Sequence, residues 1–261
     1  MPVLVTRPAR EAQRWVQRLR QHGLDAFALP LLDIGPAPDP APVWTAWNRL
    51  AGFDAVMFVS GNAVDGFFSL RPAASDCWPV SSGTAGPRAW APGPGTAQAL
   101  LEAGVPAAAI DQPLSTAPQF DSEALWGRVG DQLCAGQRVL VVRGAGAAGP
   151  GVGRDWLAAR LVERGIEVTS VAAYRRTPPA WTPAQFALGR QAADATSIWL
   201  FSSSEAIISL RSLLPEQDRS HARAIATHPR IAATATEAGF GVVCLSRPAL
   251  DDVVRSIESM R

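Results

Sequence analysis

The chain has 261 residues, 48% of them hydrophobic, which suits one large core or two smaller ones. Its 24 basic and 23 acidic residues leave a net charge of +1, which argues against bulk nucleic-acid binding. Every basic residue is arginine, and a chain without lysine runs neither Schiff-base chemistry nor a Walker-type phosphate loop.

Cys77, Cys134 and Cys244 stand far apart and read as small buried hydrophobes in a reducing compartment. His22, His221 and His228 show no ligand spacing, so no metal held by the protein is expected. No apolar run nears the ~18 residues that span a bilayer, and no signal region precedes the first strand. The expectation is a cytoplasmic protein that works without membrane or nucleic acid.

In chain order, Val3 to Thr6 reads as a buried parallel strand and residues 9–22 as an amphipathic helix stopped by Gly23. Ala26 to Leu32 is a second strand, completing a β-α-β unit. Residues 35–42 carry alternating proline and are expected to form an extended connector and a domain boundary. Next come a helix over 44–50, a strand over 54–59, a helix over 63–70 and an exposed loop over 71–88. A short strand at 89–91 precedes a glycine turn and a helix over 96–102, and a helix opens at Asp121. Gln137 to Tyr174 reads as strand, glycine-rich loop, helix and strand, with the chain's single tyrosine at the strand end. Thr177-Pro178-Pro179 is a second break. Strands come at 197–201, 224–227 and 242–245, and helices at 205–213, 229–238 and 251–260.

The chain repeats itself. Val3-Leu4-Val5-Thr6-Arg7 matches Val139-Leu140-Val141-Val142-Arg143, Phe58 to Val64 matches Phe201 to Ile207, and Glu102-Ala103-Gly104 matches Glu237-Ala238-Gly239. Alternating helices and strands, twice, predict two α/β lobes with parallel sheets and helices on both faces. The two proline breaks predict that residues 36–176 form a contiguous middle lobe, while 1–35 and 177–261 together form a discontinuous one; two simple tandem halves are the alternative. Ligands of such sheets bind beyond the carboxyl ends of the strands, so two facing copies would line one cleft.

Ser60-Gly61-Asn62 and Ser202-Ser203-Ser204 sit at strand-to-helix turns, as ordinary caps or as sites where free N–H groups and the helix dipole hold carboxylates. Gly93-Pro94-Gly95 before Thr96 is a third such turn, and Ile231 stands at the place of Thr96 in the other copy. Arg7 and Arg143 end equivalent strands, and a matched pair points to a polyanionic ligand. Tyr174 is a packing residue or a proton donor to a leaving group. Gly144 to Gly149 satisfies the dinucleotide fingerprint in letters, but Pro150-Gly151 delay the helix and the next strand ends without an acidic residue for a ribose. A loop at the cleft is the better description, with a nucleotide-dependent enzyme as one alternative and a non-catalytic two-lobed binding protein as another.

These residues together resemble the uroporphyrinogen-III synthase family over nearly the whole chain. Val5-Thr6-Arg7-Pro8, Phe58 to Val64, Gly93 to Ala97, Ser122 to Leu125, Val139 to Gly144 with Arg154, Ala173 to Arg176 and Phe201 to Ile207 carry the likeness. The glycine loop from Ala147 to Val152 is longer than the family pattern. The resemblance implies two flavodoxin-like lobes on a two-stranded connector. It implies closure of the linear tetrapyrrole hydroxymethylbilane, with inversion of ring D and loss of water, by a monomer needing no cofactor or metal. By resemblance, Tyr174 is the acid for the departing hydroxyl and Thr96 positions substrate. Arg7, Ser60, Gly61, Asn62, Gly95, Arg143 and Ser203 would bind its eight carboxylates.

Overall fold

The computed structural model describes residues 1–73, 78, 86–117, 119–146 and 156–261. Strand β1 (Val3–Val5) leads into helix α1 (Ala9–Gln21), which stops where Gly23 takes a φ of 72°, a conformation open to glycine. Strands β2 (Ala26–Ala28) and β3 (Asp33–Pro36), helix α2 (Ala41–Asn48), strand β4 (Ala55–Phe58) and helix α3 (Gly61–Ser69) come after it. Next are β5 (Arg88–Trp90), α4 (Pro94–Glu102), β6 (Ile110–Asp111), α5 (Ser122–Val129), β7 (Arg138–Ala145), α6 (Trp156–Glu163) and β8 (Glu167–Thr177). The chain ends through α7 (Pro183–Gln191), β9 (Ile198–Phe201), α8 (Ser204–Leu213), β10 (Arg223–Ala226), α9 (Pro229–Glu237), β11 (Val242–Leu245) and α10 (Leu250–Ser259).

Two compact units result: Met1–Asp33 with Thr177–Arg261, and Ile34–Arg176. The first holds a parallel sheet in the order β2-β1-β9-β10-β11, the 2-1-3-4-5 order of flavodoxin-like folds. In the second, β8-β7-β4-β5-β6 repeats that arrangement, with β7 where β1 stands, β4 where β9 stands, and β3 added beside β8. The matched segments of sequence therefore occupy matched strands. The chain order differs, because the second unit meets its third, fourth and fifth strands before its first two.

Each sheet is covered on both faces, as buried parallel strands require. Along β4, Val56 and Phe58 face a core with α2, α3 and α4, while Ala55 and Met57 face one with α5 and α6. In the first unit Leu4, Trp199 and Phe201 meet α8 and α9, and Val3, Val5 and Leu200 meet α1 and α10. Helix α3 is held firmly. Phe67 stacks on Trp47 at 4.5 Å between ring centres, meets Phe58 edge-on at 5.6 Å, and its carbonyl accepts from Trp47 Nε1 at 2.9 Å. Aromatic pairs of this kind contribute about 0.5–1.5 kcal/mol beyond the area they bury. On its other flank Gly66 approaches β8 so closely that a Cβ there would lie 2.4 Å from the Ala173 carbonyl oxygen. The body of α3 is thereby fixed against β4 and β8.

Several expectations need correction. Residues 35–42 are not one extended connector: Gly35 and Pro36 end an edge strand, and Ala41 and Pro42 open α2, because the first helical turn uses no N–H that proline lacks. Strand β2 closes at Ala28, since Pro30 interrupts its pairing, although Leu29 and Leu31 still donate to Val5 and Thr6. Tyr174 does not end its strand; β8 runs on to Thr177. Nor does Arg143, since β7 continues to Ala145. Helix α7 was missed, although Thr182-Pro183-Ala184-Gln185 forms a capping box with proline at the helix start. Cys134 is exposed and Cys244 half-buried, so neither is a core residue. Cys77, Arg154 and the loop residues 147–155 lie outside the described residues, as do most of residues 71–88.

Candidate active site

The site of the second unit begins with an irregularity in pairing. β7 and β8 run in register to Arg143 opposite Ala172, and then Gly144 stands opposite Tyr174. One extra residue on β8, a β-bulge, turns the strand locally and re-aims the residues beyond it. Tyr174 and Arg176 are two residues apart and share a face of β8. Both are buried, at 4% and 8% exposure. Gly144 faces them both. A Cβ there would lie 2.4 Å from Tyr174 Cζ and 2.5 Å from Arg176 Nη1. The first glycine of the apparent nucleotide fingerprint is thus a packing glycine that makes room for a phenol and a guanidinium.

The phenol oxygen has two partners. Ser60 Oγ lies 3.1 Å away, and Arg176 Nη1 donates to it at 3.3 Å, with the guanidinium carbon 5.7 Å from the ring centre. Ser60 caps α3 and accepts from the Ala63 N–H at 3.2 Å. Beside it the N-terminus of α4 comes close, since a Cβ on Gly61 would stand 3.9 Å from the Gly95 carbonyl oxygen. Thr96 lies buried in the first turn of α4, where its N–H bonds the Gly93 carbonyl at 3.1 Å. Two adjacent helix N-termini therefore aim their first-turn N–H groups, among them those of Gly61, Asn62 and Gly95, beyond the strand ends, and such ends favour anions.

Arg143 is less central than its sequence position suggests. Alternation along β7 sets it on the face of Val139 and Val141, opposite to Gly144 and Tyr174, and its side chain is half-buried. Arg7 and Ser203 belong to the first unit. Arg7 Nη1 pairs with Glu11 at 3.3 Å and its guanidinium lies 4.5 Å from the Trp15 ring centre, while Nε has no partner. Burial lowers the Arg7 pKa from its usual value, and the charge and hydrogen bond of Glu11 partly offset this. Ser203 caps α8 and accepts from the Glu205 N–H at 3.2 Å. Ile231 sits buried in the first turn of α9, the place Thr96 has in α4. At the corresponding end of β2 the first unit carries Leu29-Pro30-Leu31-Leu32, so the phenol has no counterpart there.

Sequence reasoning missed Arg176 and Gly144 as parts of this cluster. A spacing of two from Tyr174 along a strand was a usable signal for Arg176; the bulge that places Gly144 was not readable. Among the described residues no group of three or more His, Cys, Asp or Glu is placed to hold a metal ion, and no helix is long and apolar enough to cross a membrane.

Residues 13–255 match the family model described as uroporphyrinogen-III synthase HemD. The uroporphyrinogen-III synthase of Salmonella typhimurium is 30% identical over 244 residues, 92% of each chain, and that of Escherichia coli 29% identical over 244 residues with the same coverage. Among solved structures, a mutant uroporphyrinogen III synthase of Thermus thermophilus superposes with a TM-score of 0.58 at 18% identity, over 100% of this chain and 98% of that one. The uroporphyrinogen-III synthetase of Helicobacter pylori does so with a TM-score of 0.57 at 17% identity, over 100% and 99%. At such identities the superpositions speak for the fold.

Proposed function

The chain belongs to the uroporphyrinogen-III synthase family, enzymes of tetrapyrrole biosynthesis, and from that premise we propose that it is a lyase acting on hydroxymethylbilane. Ring closure with inversion of ring D and loss of water then gives uroporphyrinogen III. The observation that carries the chemistry is the buried phenol of Tyr174, held between Ser60 Oγ and Arg176 beside two helix N-termini.

The phenol gives its proton to the terminal hydroxyl of the substrate. The C–O bond breaks with its electron pair, water leaves, and the adjoining electron-rich pyrrole carries the positive charge. Ring D supplies the electron pair for the new C–C bond from its substituted carbon. The bond that joined this carbon to the bridge from the neighbouring ring then breaks and re-forms at the unsubstituted α-carbon of ring D, and the proton lost from that carbon restores the phenol. The cation needs little further activation, so the protein's main task is to hold the chain for attack at the more hindered carbon. Thr96 positions substrate there. The N–H groups at Gly61, Asn62 and Gly95 bind carboxylates in the second unit, and Ser203 and Arg7 do so at the strand ends of the first. Arg143 is a further anion contact. The free thiols of Cys134 and Cys244 support a reducing, cytoplasmic setting, and no cofactor enters the scheme.

Supplying hydroxymethylbilane, oxidising the products and separating the porphyrin isomers tests the proposal. The expected product is mainly type III; type I alone, as forms spontaneously, would sink it. Arg7→Ala is expected to raise KM about tenfold, the scale of one lost charge-assisted contact, while kcat changes less than about twofold. An unchanged KM would leave Arg7 the structural task of holding Glu11 and Trp15.

A further inference from the structure

The partners of the phenol constrain more than its position. A guanidinium has hydrogens to give and no lone pair to accept with, so toward Arg176 the Tyr174 oxygen is an acceptor. Its single hydrogen must then point elsewhere, and Ser60 Oγ lies within reach on a different line. Ser60 is itself held, because its oxygen already accepts from the Ala63 N–H at the start of α3. Arg176 is 8% exposed, and its cationic guanidinium stands where negative charge gathers on the oxygen once the proton has gone. Gly144 admits both side chains at once.

We propose that Arg176 is a positioning residue for Tyr174: it fixes the direction of the phenolic O–H and stabilises the oxygen after proton transfer. The assignment rests on the acid role given to Tyr174 above. It differs from ordinary burial of an arginine in one respect: its contribution to turnover runs through a single atom, the phenol oxygen.

That difference can be measured with the parent, Tyr174→Phe, Arg176→Met, the double variant and Arg176→Lys. Type III formation gives kcat and KM, and protein labelled at the tyrosine Cζ with carbon-13 gives one resonance, because the chain has one tyrosine. Arg176→Met is expected to lower kcat about tenfold with KM within about twofold, the pattern of an interaction made in the transition state. Arg176→Lys recovers part of the loss, and the tyrosine resonance moves in Arg176→Met and returns part of the way in Arg176→Lys. In the Tyr174→Phe background Arg176→Met costs nothing more, since the atom it acts on is gone.

Equal factors in both backgrounds, or a change confined to KM, would overturn the positioning role and leave the acid role standing. Parent turnover in Tyr174→Phe would remove both. If Arg176→Met does not fold, Arg176→Lys carries the test: parent kcat with an unmoved resonance refutes the proposal, and a lowered kcat with a moved resonance supports it.

Discussion

Replacing Tyr174 by phenylalanine is expected to lower type III turnover by about one to two orders of magnitude, the usual scale for loss of a general acid. The change is nearly isosteric. The ring stays in its core against α3, so the fold and substrate affinity should hold while kcat falls. Two partners are left behind, Ser60 Oγ and Arg176 Nη1, each within 3.3 Å of the lost oxygen. Each loses one hydrogen bond, worth about 0.5–1.5 kcal/mol, so a modest fall in melting temperature should accompany the loss of rate. Isomer analysis of the oxidised product gives the rate, and a thermal melt gives the stability. Turnover within about twofold of the parent would take the acid role from Tyr174.

Gly144→Ala should do comparable damage without removing any functional atom. The added methyl would overlap the Tyr174 ring and the Arg176 guanidinium at 2.4 and 2.5 Å. Both neighbours are buried side chains, so the methyl has to displace one or both of them. Overpacking of this kind costs about 1–3 kcal/mol. The larger effect falls on rate: displacing the phenol by about 1 Å can cost about 100-fold, because the Ser60 contact and the aim toward substrate are lost together. The expected result is a kcat lowered by about that factor, with a small rise in KM and a lower melting temperature. A variant with the parent's melting temperature and turnover would show that the site has more room than its contacts imply.

The legibility of each feature depends on the kind of signal it leaves in a sequence. The repeat of Val3 to Arg7 in Val139 to Arg143 was visible because β1 and β7 hold the same place in their sheets, with identical demands for apolar residues on both faces. Strands buried on two sides announce themselves as apolar runs. The edge strands of the second unit do not: β3 carries Asp33, Gly35 and Pro36, and β6 is two residues long. At the site the types of residue were readable and their relations were not. Tyr174 drew notice as the single tyrosine, and Ser60 as a cap. A bulge after Arg143 and a glycine of ordinary φ join them, and neither has a signature in composition. The glycine run suggested phosphates because Gly144 and its neighbours share letters with a cofactor loop, whereas Gly144 answers to crowding by Tyr174 and Arg176.

The interleaving of the two units also has a consequence for how the chain assembles. The unit Ile34–Arg176 contains all the strands of its own sheet within one run of chain. The other unit does not. Its β1 is a central strand, flanked by β2 and β9, and Thr6 bonds the Leu200 carbonyl across 194 residues of sequence. As the ribosome delivers the chain, β1, α1 and β2 must wait with an unpaired strand edge while a complete neighbour forms behind them. Contacts so distant in sequence close slowly, and an exposed apolar edge is where chains associate wrongly. For this architecture, the vulnerable interval in the life of the protein is its synthesis, and the vulnerable segment is β1 with α1 and β2, made well before β9.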